Sequence, residues 1–405
     1  MLESAEASEL LTDFHPFGHA FRQDPPSYYS ALQAASPLPL TVDGKPAVVV
    51  ARYRQAKSML SFYKQFSSVK PPGTPGMERV DFFNSRPVMN YSDPPEHTQL
   101  RKIVAPAFSP RALEVLKSRA QGIADELLDG LGSEFDGVAD LGYPFSLRLL
   151  LNSFMGVPKN EEYVFTDYLA TIPLLDQIPP GGGKPQAYLD AWARGTEYCE
   201  VALERARKDK SDNIVRLIAD ASDDGTISKD DVMATMVVLF AGGLTTVAAT
   251  VGTMLLKLAE NPDVAERIRR DPALATRHFE ETLRLFPAVA QVMRFPTQDL
   301  EFEGLAIAKF TPIYVILAAA CHDPEEFPDP YGFDLDRPNN KDHLGFSAGI
   351  HTCIGNVIAR AVMPPLIANV ARRFPGLHRA EPDAPLTFDH GNPRVRHLTG
   401  IRLAA

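Results

Sequence analysis

One cysteine near the C-terminus stands in a context suited to holding a metal. Residues 346–355 follow the pattern Phe-x-x-Gly-x-His-x-Cys-x-Gly, which fixes Phe346, Gly349, His351, Cys353 and Gly355. A thiolate is a strong soft ligand for iron, and glycine lets the backbone pass close to a flat cofactor. The spacing therefore indicates a metal-bound thiolate that faces a planar ring.

A helix is predicted directly after this window, over residues 356–372. The N–H groups at the start of a helix have no partner within the helix and favour negative charge, so they would stabilise a Cys353 thiolate. Pro364 and Pro365 remove two donors from the run and predict a kink. The alternative for Cys353 is a buried thiol that packs as a small hydrophobic side chain.

The window resembles the haem-binding loop of the cytochrome P450 family. That family usually has glycine where this chain has Ser347, a departure that stiffens the turn and leaves the ligand in place. The resemblance implies that Cys353 ligates the iron of haem b (iron protoporphyrin IX). It also implies that Phe346, Gly349, His351 and Gly355 belong to the cofactor site. With the segments described below, it extends over residues 93–360.

An uncharged segment, residues 232–256, is long enough to cross a membrane. The Ser228-x-x-Asp231 pattern before it predicts a capped helix start. A helix that is apolar on all sides can equally be the buried central helix of a large domain. We favour the central helix, because nothing else in the chain resembles a membrane segment.

The same segment resembles the oxygen-binding helix of the family, whose pattern ends in an acid followed by a threonine. The spacing usual in bacterial members puts Thr246 on the threonine and Thr245 on the acid. A register one residue earlier would put Leu244 on the acid, so neither register supplies a carboxylate. Splitting dioxygen needs two protons, so a hydroxyl relay, another acid or the substrate must replace it. Alternatively, both threonines only bond to the carbonyl four residues earlier.

A Glu-x-x-Arg pattern, Glu281 and Arg284, lies between these two segments. Alone it predicts only an ion pair on a helix surface. Its place in the chain resembles a family pair that is joined by an arginine from the segment before the cysteine, here Arg337. The resemblance implies a buried carboxylate bridged by two guanidinium groups, with a structural role.

A buried haem has two propionates that need neutralising partners. The segment 93–101 resembles the propionate-binding helix of the family, with His97 and Arg101 four residues apart on one face. The same resemblance adds Arg294 and His351. The alternative for each is a side chain that faces solvent.

The composition fits a large globular protein. The chain has 405 residues, 45% of them hydrophobic, with 35 prolines and a formal net charge of −10. No linker or repeat divides it, so we predict one domain over residues 1–405. The acidic balance argues against nucleic-acid binding, and three cysteines form no finger or disulfide framework. The first 14 residues lack a signal-peptide pattern, so we expect a cytoplasmic protein without a membrane anchor.

The resemblance implies a mainly α fold, a triangular prism with the haem between the oxygen-binding helix and the cysteine-loop helix. Small β portions are expected at residues 38–53 and 294–313. One strand can be read independently, because residues 47–50 are β-rich and follow an Asp43-Gly44 turn.

The implied function is a haem-thiolate monooxygenase that inserts one oxygen atom of O2 into a small to medium hydrophobic substrate. No flavin or iron–sulfur segment is recognisable, so electrons are expected from a ferredoxin and its NAD(P)H reductase. The ferredoxin would dock at a basic patch on the cysteine side, made of Arg101, Lys102, Arg111, Lys117 and Arg119.

The positions that resemble substrate contacts of the family are apolar, which favours a hydrophobic compound. They are Phe82, Phe83, Val88, Met89, Val238, Ala241, Leu244, Val289 and Val292. Two other functions stay open: a P450-like enzyme that uses peroxide or rearranges an oxygenated substrate, and a haem-thiolate binding or sensing protein without turnover.

Overall fold

Helices dominate the protein in the computed structural model, which describes residues 9–71, 83–175, 178, 182–209, 213–388 and 398–405. The helices are α1 (His19–Gln23), α2 (Pro26–Ala35), α3 (Tyr53–Ser61), α4 (Glu96–Val104), α5 (Pro110–Asp129), α6 (Tyr143–Leu147), α7 (Tyr163–Leu175), α8 (Gln186–Lys208), α9 (Ile214–Asp223), α10 (Lys229–Glu260), α11 (Pro262–Arg270), α12 (Leu274–Leu285), α13 (Leu317–Ala320) and α14 (Asn356–Arg373).

The strands are short. They are β1 (Leu38–Val42), β2 (Lys45–Val50), β3 (Phe66–Ser67), β4 (Glu134–Asp136), β5 (Val292–Pro296), β6 (Leu300–Phe302), β7 (Leu305–Ile307), β8 (Ile313–Val315), β9 (His378–Arg379) and β10 (Arg402–Ala404). A five-stranded sheet has the order β1-β2-β8-β5-β3, a second sheet the order β4-β10-β9, and β6 pairs with β7. The predicted β portions are therefore present.

The first hairpin follows from its turn residues. Asp43 and Gly44 both have positive φ, 49° and 76°, which suits the tight turn that matches the twist of two antiparallel strands. Val42 consequently faces Lys45 across the turn, and Ala47 faces Leu40. The predicted strand after the Asp43-Gly44 turn is confirmed.

The chain forms two compact units, each described by itself. One contains residues 1–75, 127–142 and 246–405, and the other residues 76–126 and 143–245. The first unit holds all the strands, α11 to α14 and the Cys353 loop. Two hydrophobic cores lie on its five-stranded sheet, one around Val48 and Phe327 and one around Val49 and Tyr314. The prediction of a single domain stays a prediction.

The second unit is helical. Helices α7 and α8 pack through aromatic rings, with Tyr168 against Trp192 at 5.7 Å between ring centroids. Phe165 of α7 packs on Phe240 of α10 at 5.5 Å. Arg205 donates two hydrogen bonds of 2.9 Å to Glu161, which ties α8 to the turn before α7. These contacts fix α8 and the first half of α10 within this unit.

Helix α10 contains the uncharged segment of the sequence, residues 232–256. The Ser228 hydroxyl accepts a hydrogen bond from the backbone N–H of Asp231 at 3.2 Å, as the predicted helix start requires. In the part of the chain that the structure describes, it alone is long and apolar enough to cross a membrane. However, 61% of its most apolar window is buried. That burial favours the predicted central core helix.

Candidate functional site

The Cys353 loop is closed by its own backbone. The N–H of Cys353 donates to the carbonyl of Phe346 at 2.9 Å, and the N–H of Ser347 donates to Leu344 at 2.8 Å. Ser347 has φ of +60° and Gly349 has φ of +70°. The positive φ of Ser347 gives a physical reason for the glycine that the family usually has there, because glycine adopts this region without steric cost.

Gly349 lies against the end of α3. A Cβ atom built on Gly349 would lie 2.2 Å from the carbonyl oxygen of Leu60, closer than any real side chain approaches a backbone atom. Together with its positive φ, this contact leaves only glycine at the position. The close approach fixes the loop against α3 and thereby fixes the path of the chain toward Cys353.

The three cysteines have different surroundings. Cys199 and Cys321 are buried, whereas Cys353 is exposed. Burial raises the pKa of both buried thiols to about 12, so neither forms a thiolate near neutral pH. Cys353 is thus the cysteine whose thiol is accessible to a ligand, as the sequence predicts for the ligating residue.

Helix α14 begins directly after the cysteine. Its first residue, Asn356, donates its backbone N–H to the carbonyl of Cys353 at 3.3 Å. The predicted helix is present and continues through Pro364 and Pro365 to Arg373. The start of α14 therefore lies beside Cys353, where helix N-termini favour a thiolate.

The Glu281 carboxylate lies between two guanidinium groups. Arg284 donates to both of its oxygens, at 3.0 and 2.8 Å, and Arg337 donates at 2.9 Å. All three residues are buried. Burial alone would raise the pKa of Glu281, but the hydrogen bonds and charges of the two arginines outweigh it and hold the pKa below its usual value.

A second buried carboxylate, Glu280, was not predicted from the sequence. It accepts hydrogen bonds from Arg360 of α14, at 2.7 and 3.2 Å, and from the ring of His343, at 3.0 Å. The only signal in the sequence was the Glu280-Glu281 doublet at one turn of α12. Neighbouring positions on a helix point in different directions, so the two carboxylates reach different partners.

The predicted propionate partners lie on one helix of the second unit and on two elements of the first. His97 and Arg101 both belong to α4, and His97 is buried. Arg294 lies on β5, also buried, and its guanidinium donates to the carbonyl of Met293 at 2.8 Å. His351 ends the short turn Gly349–His351 before the cysteine. The structure therefore places His97 and Arg101 together on one helix, and their role as propionate partners stays a prediction.

The predicted oxygen-binding segment has two glycines before its threonine pair. A Cβ on Gly242 would meet open space, whereas one on Gly243 would lie 2.7 Å from the Leu150 side chain. Thr245 and Thr246 are half-buried. The other threonines of α10, Thr235, Thr250 and Thr253, bond to the carbonyl four residues earlier.

A serine supports the helix beside this pair. Ser146 of α6 is fully buried, and its hydroxyl donates to the Leu244 carbonyl at 2.8 Å. Leu244 immediately precedes Thr245, so this bond holds the backbone of α10 next to the predicted proton relay. Nothing in the sequence around Ser146 indicated the contact.

The predicted substrate positions differ in burial. Phe83, Ala241, Val289 and Val292 are half-buried, whereas Val88, Met89, Val238 and Leu244 are buried. Phe82 lies outside the described residues.

Comparisons with known proteins point to the same family that the Cys353 loop resembles. The family model described as Cytochrome P450 matches residues 194–392. Cytochrome P450 107B1 of Saccharopolyspora erythraea is 31% identical over 392 residues, which cover 94% of this chain and 94% of that protein. This chain belongs to the cytochrome P450 family. A second relative, the 6-deoxyerythronolide B hydroxylase of the same species, is 30% identical over 373 residues, covering 86% and 88%.

The fold agrees as well. The crystal structure of CalO2 matches this P450 with a TM-score of 0.82 and 27% identity, covering 97% of this chain and 98% of that one. The P450 fold predicted from the sequence is confirmed. The protein is accordingly an oxidoreductase, a haem monooxygenase that uses O2, a substrate and redox partners.

The cofactor of this P450 is haem b, and the site residues fit it. The exposed thiol of Cys353 supplies a soft iron ligand. A Cβ atom on Gly355 would lie 3.7 Å from the Cys353 sulfur, an ordinary contact distance, so the backbone of Gly355 lies beside the ligand. Among the described residues, no group of three His, Cys, Asp or Glu side chains could hold a metal ion instead.

Proposed function

We propose that Cys353 is the iron ligand of a cytoplasmic, ferredoxin-dependent monooxygenase that acts on a small to medium hydrophobic compound. One observation carries the assignment of the ligand: Cys353 combines an exposed thiol with a place beside the start of α14. Both other thiols are buried and have raised pKa values.

When bound, haem b supplies the activation of dioxygen and the transfer of one oxygen atom to the substrate. The protein holds it in place and neutralises its charge. His97, Arg101, Arg294 and His351 would bind the two propionates, because a buried carboxylate needs cationic or hydrogen-bonding partners. The burial of His97 and Arg294 supports this role, since neither side chain faces solvent.

Two threonine hydroxyls of α10 would take part in the delivery of protons to the reacting oxygen. Thr246 would hold the reacting oxygen by a hydrogen bond, and Thr245 would pass protons through water in place of the usual acid. The uncharged composition of residues 232–256 supports a hydroxyl relay, because that stretch of α10 has no carboxylate.

The substrate is expected to be hydrophobic. Every predicted contact position from Phe83 to Val292 that the structure describes carries an apolar side chain. One relative is named as a hydroxylase of 6-deoxyerythronolide B, which supports hydroxylation as the reaction. For a C–H bond, the reaction consumes O2, two electrons and two protons, and it yields the alcohol and water.

The electron donor would be a separate ferredoxin with its NAD(P)H reductase. Lys102, Arg111, Lys117 and Arg119 are exposed, and Arg101 is half-buried. Exposed cations attract an acidic partner and speed its association, an effect that weakens as salt increases. Turnover with ferredoxin compared with turnover with peroxide distinguishes this function from the peroxide-dependent alternative.

The ligand assignment is tested with three variants. The reduced carbon monoxide complex of the wild type should absorb at the red-shifted wavelength typical of thiolate ligation. Cys353→Ser should lose this band, whereas Cys199→Ser and Cys321→Ser should keep it. A Cys353→Ser protein that keeps the band would show that the ligand is another residue.

A further inference from the structure

Arg360 of α14 is anchored by a buried acid. Its Nε and one terminal nitrogen donate to the two oxygens of Glu280, at 2.7 and 3.2 Å. The His343 ring contacts the same carboxylate through Nε2 at 3.0 Å, and its Nδ1 accepts the N–H of Gly345 at 3.0 Å. Because Nδ1 is an acceptor, Nε2 carries the proton and donates to Glu280. The carboxylate is therefore fully partnered, and it fixes the plane of the guanidinium.

From this anchored position, Arg360 contacts two residues that hold the Cys353 backbone. Its guanidinium carbon lies 4.8 Å from the centre of the Phe346 ring, and its second terminal nitrogen donates to Oδ1 of Asn356 at 2.9 Å. The Phe346 carbonyl accepts the Cys353 N–H at 2.9 Å. The Asn356 side-chain amide donates to the Cys353 carbonyl. Both polar backbone groups of Cys353 are thus bound by residues that touch Arg360.

The geometry requires an arginine. A guanidinium is planar, stacks on an aromatic face and offers several donors in fixed directions, so it can serve Glu280, Phe346 and Asn356 at once. A lysine ammonium carries the same charge but has neither the plane nor the fork of donors. Since the Asn356 oxygen accepts from Arg360, its amide nitrogen must face Cys353, so Arg360 also sets the orientation of the Asn356 side chain.

We propose that Arg360, oriented by Glu280, is a positioning residue that fixes the backbone of Cys353 and thereby the direction of its thiolate toward the iron. Outer partners of this kind control how a ligand presents itself to its metal, although they do not touch the metal. The inference rests on the proposed ligation by Cys353. It goes beyond that proposal by assigning the alignment of the ligand to a buried carboxylate and an arginine of α14.

The test uses two variants with matched controls on the same helix. Arg360→Lys keeps the charge but removes the planar guanidinium and its fixed set of donors. Asn356→Ala keeps Arg360 and removes the side chain that links it to the Cys353 carbonyl. Arg373 and Asn369 form a similar pair, with Arg373 bonded to Asn369 at 3.1 Å and to Asp129. Arg373→Lys and Asn369→Ala therefore repeat both substitutions away from Cys353.

Three measurements apply to all variants. They are the rate of haem loss, the fraction of the reduced carbon monoxide complex in the thiolate band, and the alkylation rate of the Cys353 thiol in haem-free protein. Changes in outer partners of a metal ligand typically weaken metal binding by about 10–100-fold. We expect faster haem loss in that range for Arg360→Lys, a smaller loss of the same sign for Asn356→Ala, and faster alkylation in both. The Arg373 and Asn369 variants should match the wild type.

The outcomes separate this inference from the ligation on which it rests. If Cys353→Ser loses the thiolate band but either Arg360→Lys or Asn356→Ala equals the wild type in all three measurements, the positioning role is wrong and the ligation stands. If Cys353→Ser keeps the band, the ligation itself is wrong. Should Arg360→Lys fail to fold, Asn356→Ala still tests the link between Arg360 and the Cys353 carbonyl. It keeps the buried pair of Glu280 and Arg360 intact, and it changes only a side chain at the start of α14.

Discussion

The Glu281 carboxylate and the Arg284 guanidinium form a two-pronged ion pair, with both side chains fully removed from solvent. Arg284 also donates to the carbonyls of Cys321, Pro330 and Gly332, so one side chain of α12 holds the segment that leads to the Cys353 loop. Because every donor is matched, the pair can be buried without leaving a charge uncompensated.

Removing one member of this pair should unfold the protein. Glu281→Ala leaves Arg284 and Arg337 buried without their carboxylate, which costs about 3–5 kcal/mol of the free energy of unfolding. We expect little folded, haem-loaded protein on purification. The measurement is the yield of soluble protein together with its haem content.

Glu204→Ala is the matched control for this prediction. It removes a glutamate whose partner, Lys208, is exposed on α8, so it should leave the yield unchanged. A Glu281→Ala protein as stable and as fully loaded as the wild type would contradict the structural role of the pair.

A single methyl group at Gly349 should disrupt the cysteine loop. Gly349→Ala combines an unfavourable positive φ with a contact of 2.2 Å to the Leu60 carbonyl, so α3 or the loop must move. Strain of the backbone alone costs about 1–3 kcal/mol, and the clash adds to it. We expect a lower midpoint of thermal unfolding and a loss of bound haem.

Two other glycines separate the effect of backbone strain from the effect of the contact with the Leu60 carbonyl. Gly44→Ala has a positive φ of 76° without any atom near the added methyl group, and Gly376→Ala has neither problem. The loss of stability should therefore decrease from Gly349 to Gly44 to Gly376. If Gly349→Ala were no worse than Gly44→Ala, the contact with Leu60 would not constrain the loop.

The sequence was informative where local patterns determine structure. The hairpin at Asp43-Gly44, the capped start of α10 and the helix after Cys353 all follow from residues close together in the chain. The Glu280 network could not be predicted in this way. Its carboxylate meets His343 and Arg360 at separations of 63 and 80 residues. Only the tertiary fold brings such groups together, and each alone looks like an ordinary surface charge.

Backbone geometry was a second feature that could not be predicted from the sequence. Residues Gly137–Gly142 and Arg148–Phe154 are π-helical, a wider winding that no side-chain period in this chain indicated. They flank α6, whose Ser146 bonds to the Leu244 carbonyl. The resemblance located Thr245 and Thr246, but it could not reveal what holds the helix beside them. The burial of Glu281 likewise came from the family and the fold, since Glu-x-x-Arg alone predicts an exposed pair.

Stability should fall in mild acid because of one buried histidine. Burial lowers the pKa of His278 to about 3, and the charge of Lys257 adds to the effect. Among the described residues, neither ring nitrogen has a hydrogen-bond partner. The unfolded chain binds a proton at His278 below its ordinary pKa of about 6.5, and the folded protein does not. The free energy of unfolding therefore decreases by about 1.4 kcal/mol per pH unit between these two values.

His278→Phe should remove this dependence, because phenylalanine carries no titrating group and can pack against Phe333 as the imidazole does. Urea unfolding of both proteins between pH 7.5 and about 4.5 measures it. The wild type should lose stability relative to the variant only below about pH 6.5. His378→Phe, at an exposed ring, is the control and should keep the slope of the wild type. Parallel curves for wild type and His278→Phe would mean that His278 is protonated in the folded protein.

The threonine pair of α10 gives the last prediction. If Thr246 holds the reacting oxygen, Thr246→Ala should still consume NAD(P)H but divert much of it to hydrogen peroxide, so that product falls while electron flow continues. If Thr245 replaces the usual acid, Thr245→Ala should slow oxygen consumption, and Thr245→Asp should maintain or increase it. A proton relay typically contributes about 10²–10⁴-fold, well above assay error. The measurement compares NAD(P)H, peroxide and product in one reaction.

Thr253→Ala provides the control on the same helix. The Thr253 hydroxyl bonds to the Ala249 carbonyl at 3.0 Å and is buried, so its loss should leave the ratio of product to NAD(P)H unchanged. A ratio that falls equally in Thr253→Ala would point to a general loosening of α10, because both hydroxyls would then act only on helix packing. If Thr245→Ala and Thr246→Ala both turn over with unchanged rate and coupling, neither hydroxyl carries protons. The protons must then come from a substrate group or from another segment of the chain.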